Sequence, residues 1–209
     1  MKIIVFGSTG GTGRVLVEQA LAAGHQVTAF MRDPSKSSVQ HEHLKIVQGD
    51  VRDAAQVAEA IKGQDAVLSA FGPRRGSKDT DLMTVGTKNV LATMKKHGVR
   101  RFISQSGAGV VDERDEPSVP RTIIRGILKL SAPHVLADAE QQFALIKASD
   151  LDWTIVRVPR LKAGAQTGNC RAGYKPPRGT AVSRGDIADF MLKQLNDNMY
   201  VRQAPIISY

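Results

Sequence analysis

Short apolar runs alternate along the chain with longer amphipathic segments. The apolar runs are rich in β-branched residues and predict strands, whereas the segments between them have the spacing of helices that bury one face. This alternation is typical of parallel βαβ units, whose strands are buried on both faces. It predicts an α/β fold in which helices cover both faces of a parallel sheet. The predicted strands are KIIVFG (2–7), QVTAFMR (26–32), LKIVQGD (44–50), DAVLSAFG (65–72), RRFISQSG (100–107) and DWTIVRVP (152–159).

Start and stop residues delimit the predicted helices. A glycine follows three of them, Gly24, Gly63 and Gly98, as expected where a helix ends in the left-handed conformation. Asp53 is placed to cap the second helix, and Ser183 followed by Asp186 starts the last one. Before this last helix, the predicted helices cover about 13–24, 54–63, 81–98 and 135–149.

Two stretches break the alternation. Residues 107–134 form an acidic, proline-marked loop followed by a short basic amphipathic helix, and a connection of this length is typical of a lid or binding loop. Residues 161–183 are rich in Gly, Lys and Pro and predict a hairpin. We therefore expect one domain over 1–209 with a small substrate-side region formed by about 108–133 and 160–185.

Composition is that of an ordinary globular protein. Of 209 residues, 42% are hydrophobic and 23% charged, and no apolar run approaches the roughly 20 residues of a membrane helix. The chain shows no secretory leader, so a cytoplasmic location and no membrane partner are expected. Cys170 is the single cysteine, which excludes an intramolecular disulfide. The histidines lack the spacing of a metal site, and we predict no metal.

The chain carries a formal charge of +9, and the excess is local. It lies in residues 157–185, which we call the basic segment. Such a segment suits an anionic small molecule or a polyanion, or is a solvated surface with no partner. Nucleic acid is disfavoured, because aromatic residues are 5% of the chain and Tyr174 is the one aromatic residue in this segment. Seven basic residues occur there with no intervening carboxylate: Arg157, Arg160, Lys162, Arg171, Lys175, Arg178 and Arg184.

The stretch VFGSTGGTGR (5–14) follows the first strand and opens the first helix. Its glycines at 7, 10 and 13 suit a phosphate cradle: one makes the tight turn, one lets backbone approach a diphosphate, and one lets helix pack on strand. The alternating context is the one that this motif requires. The fold is therefore predicted to be Rossmann-like and doubly wound, with a bound dinucleotide.

The end of the second strand indicates which dinucleotide. A carboxylate there would bind the ribose hydroxyls of NAD, but the strand runs through Met31 into Arg32, with Lys36 close behind. Arg32 can pair with a 2′-phosphate, and Arg14 can supply a second positive charge. These residues favour NADP(H). Asp50, after the third strand, is placed either to reach the adenine or to cap a helix.

At these residues the sequence resembles the atypical short-chain dehydrogenase/reductases, in particular the small NAD(P)H-binding proteins grouped with NmrA-like proteins and with biliverdin IXβ reductase/flavin reductase. The motifs FGSTGGTGR, MRDPSK, GDVRD, GQDAVLSAFG, SDLDWTIVRVP and SRGDIADFML occur in the family's order and cover essentially the whole chain. The resemblance implies a Rossmann-like fold, NADP(H) binding and reductase activity. The expected cofactor-binding residues are Gly7, Thr9, Gly10, Gly11, Thr12, Gly13, Arg14, Arg32, Lys36, Asp50, Val51, Phe71, Gly72, Ser106 and Pro159.

The chain departs from the broader dehydrogenase pattern in its tyrosines. Tyr174, Tyr200 and Tyr209 are the only three, and none has a lysine four residues later. Reduction of a ketone needs an acid for the forming alkoxide, whereas a flavin or linear tetrapyrrole takes hydride into a delocalised system and its proton from solvent. The expected acceptor is therefore planar, conjugated, aromatic and anionic.

The resemblance places this acceptor near the ends of the fourth, fifth and sixth strands. Ser106 is the predicted catalytic contact, although a serine at a strand end can also be a simple turn former. Gly107, Arg74 and Arg160 are the predicted substrate-binding residues. The tetrapyrrole reductase has a serine in place of Gly107 and a histidine in place of Arg160, which counts against biliverdin and favours FMN held by arginines.

A second reading fits the same residues. An NmrA-like sensor would bind NADP(H) without turnover and engage a protein partner through its basic segment or residues 108–133. An open apolar pocket over the nicotinamide would favour the reductase.

Overall fold

The computed structural model describes residues 1–73, 79–176, 179 and 181–209. In these ranges the helices are α1 (Gly11–Ala22), α2 (Ala54–Ile61), α3 (Leu82–His97), α4 (Val119–Ser131), α5 (Pro133–Lys147) and α6 (Arg184–Lys193), with a 3-10 turn at Pro34–Lys36. The strands are β1 (Lys2–Phe6), β2 (Gln26–Met31), β3 (Leu44–Gln48), β4 (Ala66–Ser69), β5 (Arg101–Gly107), β6 (Asp152–Val158), β7 (Leu161–Lys162), β8 (Arg171–Gly173), β9 (Val182–Ser183) and β10 (Ile206–Ser208).

The main sheet has the order β3-β2-β1-β4-β5-β6-β10-β8, and every neighbouring pair is parallel except β10 with β8. The six strands predicted from the sequence occupy its first six places. β1 lies between β2 and β4, so the chain winds outward in both directions from it. Ligands bind at such a switch point, outside the carboxyl ends of the strands. The predicted doubly wound, Rossmann-like sheet is confirmed.

Helices cover both faces of the sheet, as predicted. On one face α1 and α6 bury side chains such as Leu16 and Ile187 against Val5 and Leu68. On the other face α2, α3 and α5 cover a second core that includes Phe102. Alternate residues of each central strand supply the two cores, which is why these strands read as continuous apolar runs.

The edges of the sheet differ from the prediction. The prediction that the strands are buried on both faces is wrong for β3. This strand lies at the edge of the sheet, and its Ile46 is 39% exposed. The hairpin expected in 161–183 is also wrong: β7 and β9 pair in parallel, and β8 joins the main sheet beside β10. β10 itself was not predicted, because three residues are too short a run to show periodicity.

The predicted helix ends are confirmed. Gly24, Gly63 and Gly98 have φ of +79°, +76° and +70°. The Asp53 side chain accepts hydrogen bonds from the first turn of α2, and Ser183 Oγ accepts the Asp186 N–H of α6 at 3.0 Å. The starts are less well predicted, since α1 begins two residues earlier than expected.

Helix α4 lies where a basic amphipathic helix was predicted, but its most apolar side faces outward. Ile123, Ile127 and Leu130 are 58%, 57% and 88% exposed. Toward the protein, Arg125 pairs with Glu140 at 2.6 Å and Leu128 lies against Gly109. We refer to the outward side as the α4 apolar face. Within the described ranges, none of the helices has the length and hydropathy to cross a membrane.

Candidate functional site

The turn between β1 and α1 is built from glycines for steric reasons. Gly7 has φ +78°, and a Cβ on it would lie 2.6 Å from the backbone nitrogen of Phe71. A Cβ on Gly13 would overlap the Gly7 carbonyl oxygen, so the first turn of α1 packs directly on the loop. The Gly10 N–H donates to this carbonyl at 2.9 Å, and Ser8 Oγ donates to the Phe30 carbonyl at 2.9 Å. The turn is therefore rigid and brings backbone close to a ligand.

The start of α1 is left open by the chain itself. Gly10 occupies the cap position and supplies no side-chain hydrogen bond, and the first turn contains no acidic residue. The first N–H groups of a helix need acceptors and carry its positive dipole end. A diphosphate would satisfy both requirements. Thr12 and Gly13, predicted as cofactor-binding, are buried in this first turn, and Gly11 is exposed at its tip.

A cavity of about 430 Å³ opens beside this turn, at the carboxyl ends of β1, β2 and β4. It brings together ten of the residues predicted to bind the cofactor: Gly7, Thr9, Gly10, Arg14, Arg32, Lys36, Asp50, Val51, Phe71 and Gly72. The lining also includes apolar and small residues that the sequence reasoning missed: Phe6, Phe30, Met31, Gly49, Ala70 and Leu82. Most of these residues lie in the last positions of a predicted strand, and this position could have identified them.

The cationic rim of this cavity is unpaired at two positions. Among the described residues, the guanidinium groups of Arg14 and Arg32 have no hydrogen-bond or ion-pair partner, and both side chains are exposed. Lys36 Nζ lies 3.0 Å from Asp33. The Asp33 carboxylate faces its own turn, and hydrogen bonds from Ser35 and Lys36 lower its pKa. It does not line the cavity.

A shallow pocket of about 10 Å³ adjoins the cavity at the same rim. Arg14 and Lys36 line both spaces, and the pocket adds the serines Ser37 and Ser38. A space of this size has room for about one water, so the pocket extends the cationic rim without itself holding a phosphate.

Residues 49–51 follow β3 and form one wall of the cavity, and hydrogen bonds from α3 hold this wall in place. Asp50 Oδ1 accepts the Arg52 N–H at 2.9 Å, so this carboxylate shapes the turn and lines the cavity, while Asp53 caps α2. The side-chain amide of Asn89 donates to the carbonyls of Val51 and Arg52 at 2.9 and 3.0 Å. Arg52 also pairs with Asp81 at 2.7 Å, directly before α3. These contacts fix the wall and were not predicted.

The predicted acceptor residues lie beyond this cavity. Ser106 and Gly107 end β5 beside Arg157 and Val158 of β6, but neither lines the cavity. The Oγ of Ser106 is buried and has no hydrogen-bond partner in the described part of the chain.

Pro159 and Arg160 follow β6 and also lie outside the cavity lining. Arg160 is exposed. Arg74 and Arg178 lie outside the described residues. The structure therefore brings ten of the fifteen predicted cofactor residues together in the cavity, whereas Ser106 and Pro159, also predicted to bind the cofactor, lie at the neighbouring strand ends with Gly107 and Arg160.

One member of the basic segment is not on the surface. Arg157 is fully buried and donates to both carboxylate oxygens of Asp115, at 2.7 and 2.6 Å, and to the carbonyls of Val110 and Ala204. Burial is the largest single influence on Asp115 and opposes its ionisation, but the hydrogen bonds from Arg157 and the Asp112 N–H, together with the charges of Arg157 and Arg121, outweigh it, and the pKa of Asp115 is lowered. The prediction that places Arg157 in a surface patch is wrong, because its partner lies 42 residues away in the chain.

The comparisons with known proteins agree with this geometry. A family model described as NAD(P)H-binding matches residues 7–198. An uncharacterized chloroplastic protein of Arabidopsis thaliana is 32% identical over 180 residues, which are 80% of this chain and 62% of that protein. The uncharacterized protein YwnB of Bacillus subtilis is 29% identical over 183 residues, 83% of this chain and 79% of that protein. The chain thus spans less than two thirds of the Arabidopsis relative.

Among solved structures, an anaerobillin reductase of Escherichia coli O157:H7 superimposes with a TM-score of 0.81 at 22% identity, covering 100% of this chain and 97% of that one. At this identity the likeness concerns the fold.

Proposed function

The chain belongs to the NAD(P)H-binding family, and from this premise we propose that it is an NADPH-dependent reductase that transfers hydride to a planar conjugated acceptor. The preferred acceptor is a flavin such as FMN, and a linear tetrapyrrole such as biliverdin is the second choice. Two questions are separate here: which dinucleotide binds, and what it reduces.

The preference for NADPH over NADH rests on the unpaired arginines at the rim of the cavity. Arg14 and Arg32 have no partner among the described residues, and the neighbouring carboxylate, Asp33, is turned into its own hydrogen bonds. A 2′-phosphate would pair with these cations, whereas the ribose hydroxyls of NADH would meet no free carboxylate from the described residues at this end of β2.

The tyrosines support an acceptor that needs no acid from the protein. Tyr200 donates to the Ala172 carbonyl, Tyr209 donates to Asp186, and the Tyr174 hydroxyl accepts from Arg114 and from the Ala204 N–H. Each phenol is therefore committed to a structural hydrogen bond. When bound, the dihydronicotinamide supplies a hydride, and a flavin or tetrapyrrole accepts it and takes its proton from water.

The residues proposed to position the acceptor are Ser106, Gly107 and Arg160, together with Arg74. The Oγ of Ser106 is buried and has no hydrogen-bond partner among the described residues, and a rotation of this side chain would let it donate to an acceptor carbonyl or to the carboxamide of the cofactor. Arg160 is exposed and unpaired within the described ranges, so it can bind a phosphate or carboxylate. The Escherichia coli structural neighbour is described as an anaerobillin reductase, which keeps tetrapyrroles in the screen.

The test is NADPH consumption with FMN, quinones and linear tetrapyrroles supplied one at a time, against blanks without protein. Saturable turnover with one acceptor supports the reductase, and Arg160→Gln should then raise KM for an anionic acceptor while leaving NADPH affinity unchanged. The matched control is Arg171→Gln, an exposed arginine on β8 that should change neither. Tight NADPH binding with no acceptor consumed would reject the reductase.

The α4 apolar face favours one alternative, a sensor that binds NADP(H) and engages a protein. Soluble monomers rarely expose contiguous apolar patches beyond a few hundred Å² unless they bind something. Val119 adds a 74% exposed side chain to Ile123, Ile127 and Leu130 on this face. Under this alternative, Ile127→Glu would leave NADPH binding intact and abolish partner binding. Under the reductase proposal, it would leave turnover of a water-soluble acceptor unchanged.

A further inference from the structure

Arg184, the first residue of α6, lies over the phosphate turn. A Cβ on Gly11, the first residue of α1, would overlap Nε of Arg184 and lie 3.0 Å from its Cδ and Cζ. Gly11 is not one of the three glycines that the turn needs at positions 7, 10 and 13. A side chain at this position would require the Arg184 side chain to move.

The backbone beneath Arg184 is fixed from several directions. Gln19 of α1 donates to the Gly185 carbonyl at 3.1 Å, and the Gly185 N–H donates to the Gly164 carbonyl at 3.2 Å. Asp186 accepts the Thr167 N–H at 2.6 Å and the Ser183 hydroxyl at 2.7 Å. The backbone at the start of α6, which carries Arg184, is therefore held against α1.

Arg184 has no partner of its own in the described part of the chain. Its Nε is buried without a hydrogen bond, and its guanidinium forms no ion pair with any described carboxylate. Arg157, which is fully buried, has four acceptors, whereas Arg184 is partly buried and has none among the described residues. A buried donor without an acceptor costs free energy. The unsatisfied Nε–H of Arg184 therefore points to an acceptor that the described residues do not supply.

We infer that Arg184 is an anion-binding residue that pairs with the diphosphate of the dinucleotide, opposite the N–H groups of α1. The inference rests on the proposed NADPH-binding function and adds a residue from the far end of the chain to it. Arg184 lies over Gly11 at the start of α1, away from the end of β2 where Arg32 and Lys36 lie, so we assign it to the diphosphate and not to the 2′-phosphate.

The two groups of cations therefore have separable effects. Arg32 distinguishes a dinucleotide with a 2′-phosphate from one without it. Arg184 contacts a group that every dinucleotide carries, and it should have no effect on a ligand that keeps the 2′-phosphate but lacks the diphosphate.

The experiment compares the equilibrium binding of NADPH with that of adenosine 2′-monophosphate, which has no diphosphate. Arg184→Gln should weaken NADPH binding about 10- to 100-fold, the usual effect of losing a charge-assisted pair, and leave the monophosphate affinity unchanged. Arg184→Lys should recover part of the NADPH affinity. Lys193→Gln removes the same charge from the exposed end of the same helix and should change neither affinity.

Arg32→Glu completes the set by weakening both ligands. If Arg184→Gln binds NADPH as well as the wild type while Arg32→Glu does not, the role of Arg184 is wrong and the cofactor site stands. If Arg184→Gln weakens the monophosphate as much as NADPH, the diphosphate assignment is also wrong. Failure of the wild type to bind NADPH would overturn the proposed function together with this inference.

Discussion

The Asp115–Arg157 pair offers a direct test of what holds the acceptor side of the molecule together. We consider Asp115→Asn, which keeps the shape of the side chain and removes its charge. Asp115 lies in the loop before α4, and its side chain is 1% exposed. The substitution leaves Arg157 charged, fully buried and without a counter-ion at hydrogen-bond distance.

The expected cost follows from the contacts that remain. Arg157 keeps the carbonyls of Val110 and Ala204, and one oxygen of the new amide can still accept from it. Removing one partner of a buried ion pair costs about 3–5 kcal/mol, and the retained acceptors favour the lower value. For a chain of this size, about 3 kcal/mol lowers Tm by roughly 6–12 °C.

The assay is reversible urea unfolding, supported by thermal unfolding, of wild type and variants at one pH. Asp189→Asn is the control, because Asp189 pairs with an exposed lysine on α6 and should lose less than about 1 kcal/mol. The double variant Asp115→Leu/Arg157→Met should recover part of the loss, because it removes the buried charge of Arg157 but still takes the Asp115 contact at 3.4 Å away from Arg121. If Asp115→Asn unfolds within about 1 kcal/mol of the wild type, the reasoning is refuted.

Three further predictions concern the cofactor rim, the start of α6 and the cysteine. Arg32→Glu should weaken NADPH binding at least 10-fold more than NADH binding, and equal losses would remove this residue from the 2′-phosphate site. Burial opposes ionisation of Asp186, but hydrogen bonds from Tyr209, Thr167 and Ser183 lower its pKa well below the usual 3.8. The ionised carboxylate therefore stabilises the folded state fully above pH 3.8, and this contribution is lost as the pH falls below that value. Acid unfolding should therefore be shallower in Asp186→Asn than in the wild type, and parallel curves would contradict this. Burial, followed by the charges of Asp186 and Asp189, raises the pKa of Cys170 from 9.0 to about 11, so alkylation at pH 8 should be about a hundredfold slower than for a free thiol; an equal rate would be the contrary result.

The parts of the fold that the sequence predicts are those with local causes. Strands β1, β2, β4, β5 and β6 each contain a run of buried residues, and Gly24, Gly63 and Gly98 end helices for reasons contained within one turn. The glycine turn is similar, because its steric demands involve the next helix and a neighbouring strand end. Ten predicted cofactor residues meet in one cavity for the same reason.

The parts that the sequence does not predict depend on distant partners. Arg157 looks like one more member of a basic segment until Asp115, 42 residues earlier, is placed against it. β10 is too short for its pattern to be recognised and is held by pairing with β6 and β8. Arg184 is similar, since only the packing of α6 on α1 brings it over Gly11.

This difference between local and distant causes has a consequence for specificity. Arg157 pairs in register with Ser106 across β5 and β6, and its side chain holds the loop that contains Asp115. The same ion pair therefore supports the strand end that carries the proposed catalytic hydroxyl and the loop that leads into α4. The cofactor cavity, built on β1, β2 and β4, has no residue in common with this unit. Substitutions in residues 108–118 should thus alter the choice of acceptor while leaving NADPH affinity unchanged, so that the two halves of the site can vary independently.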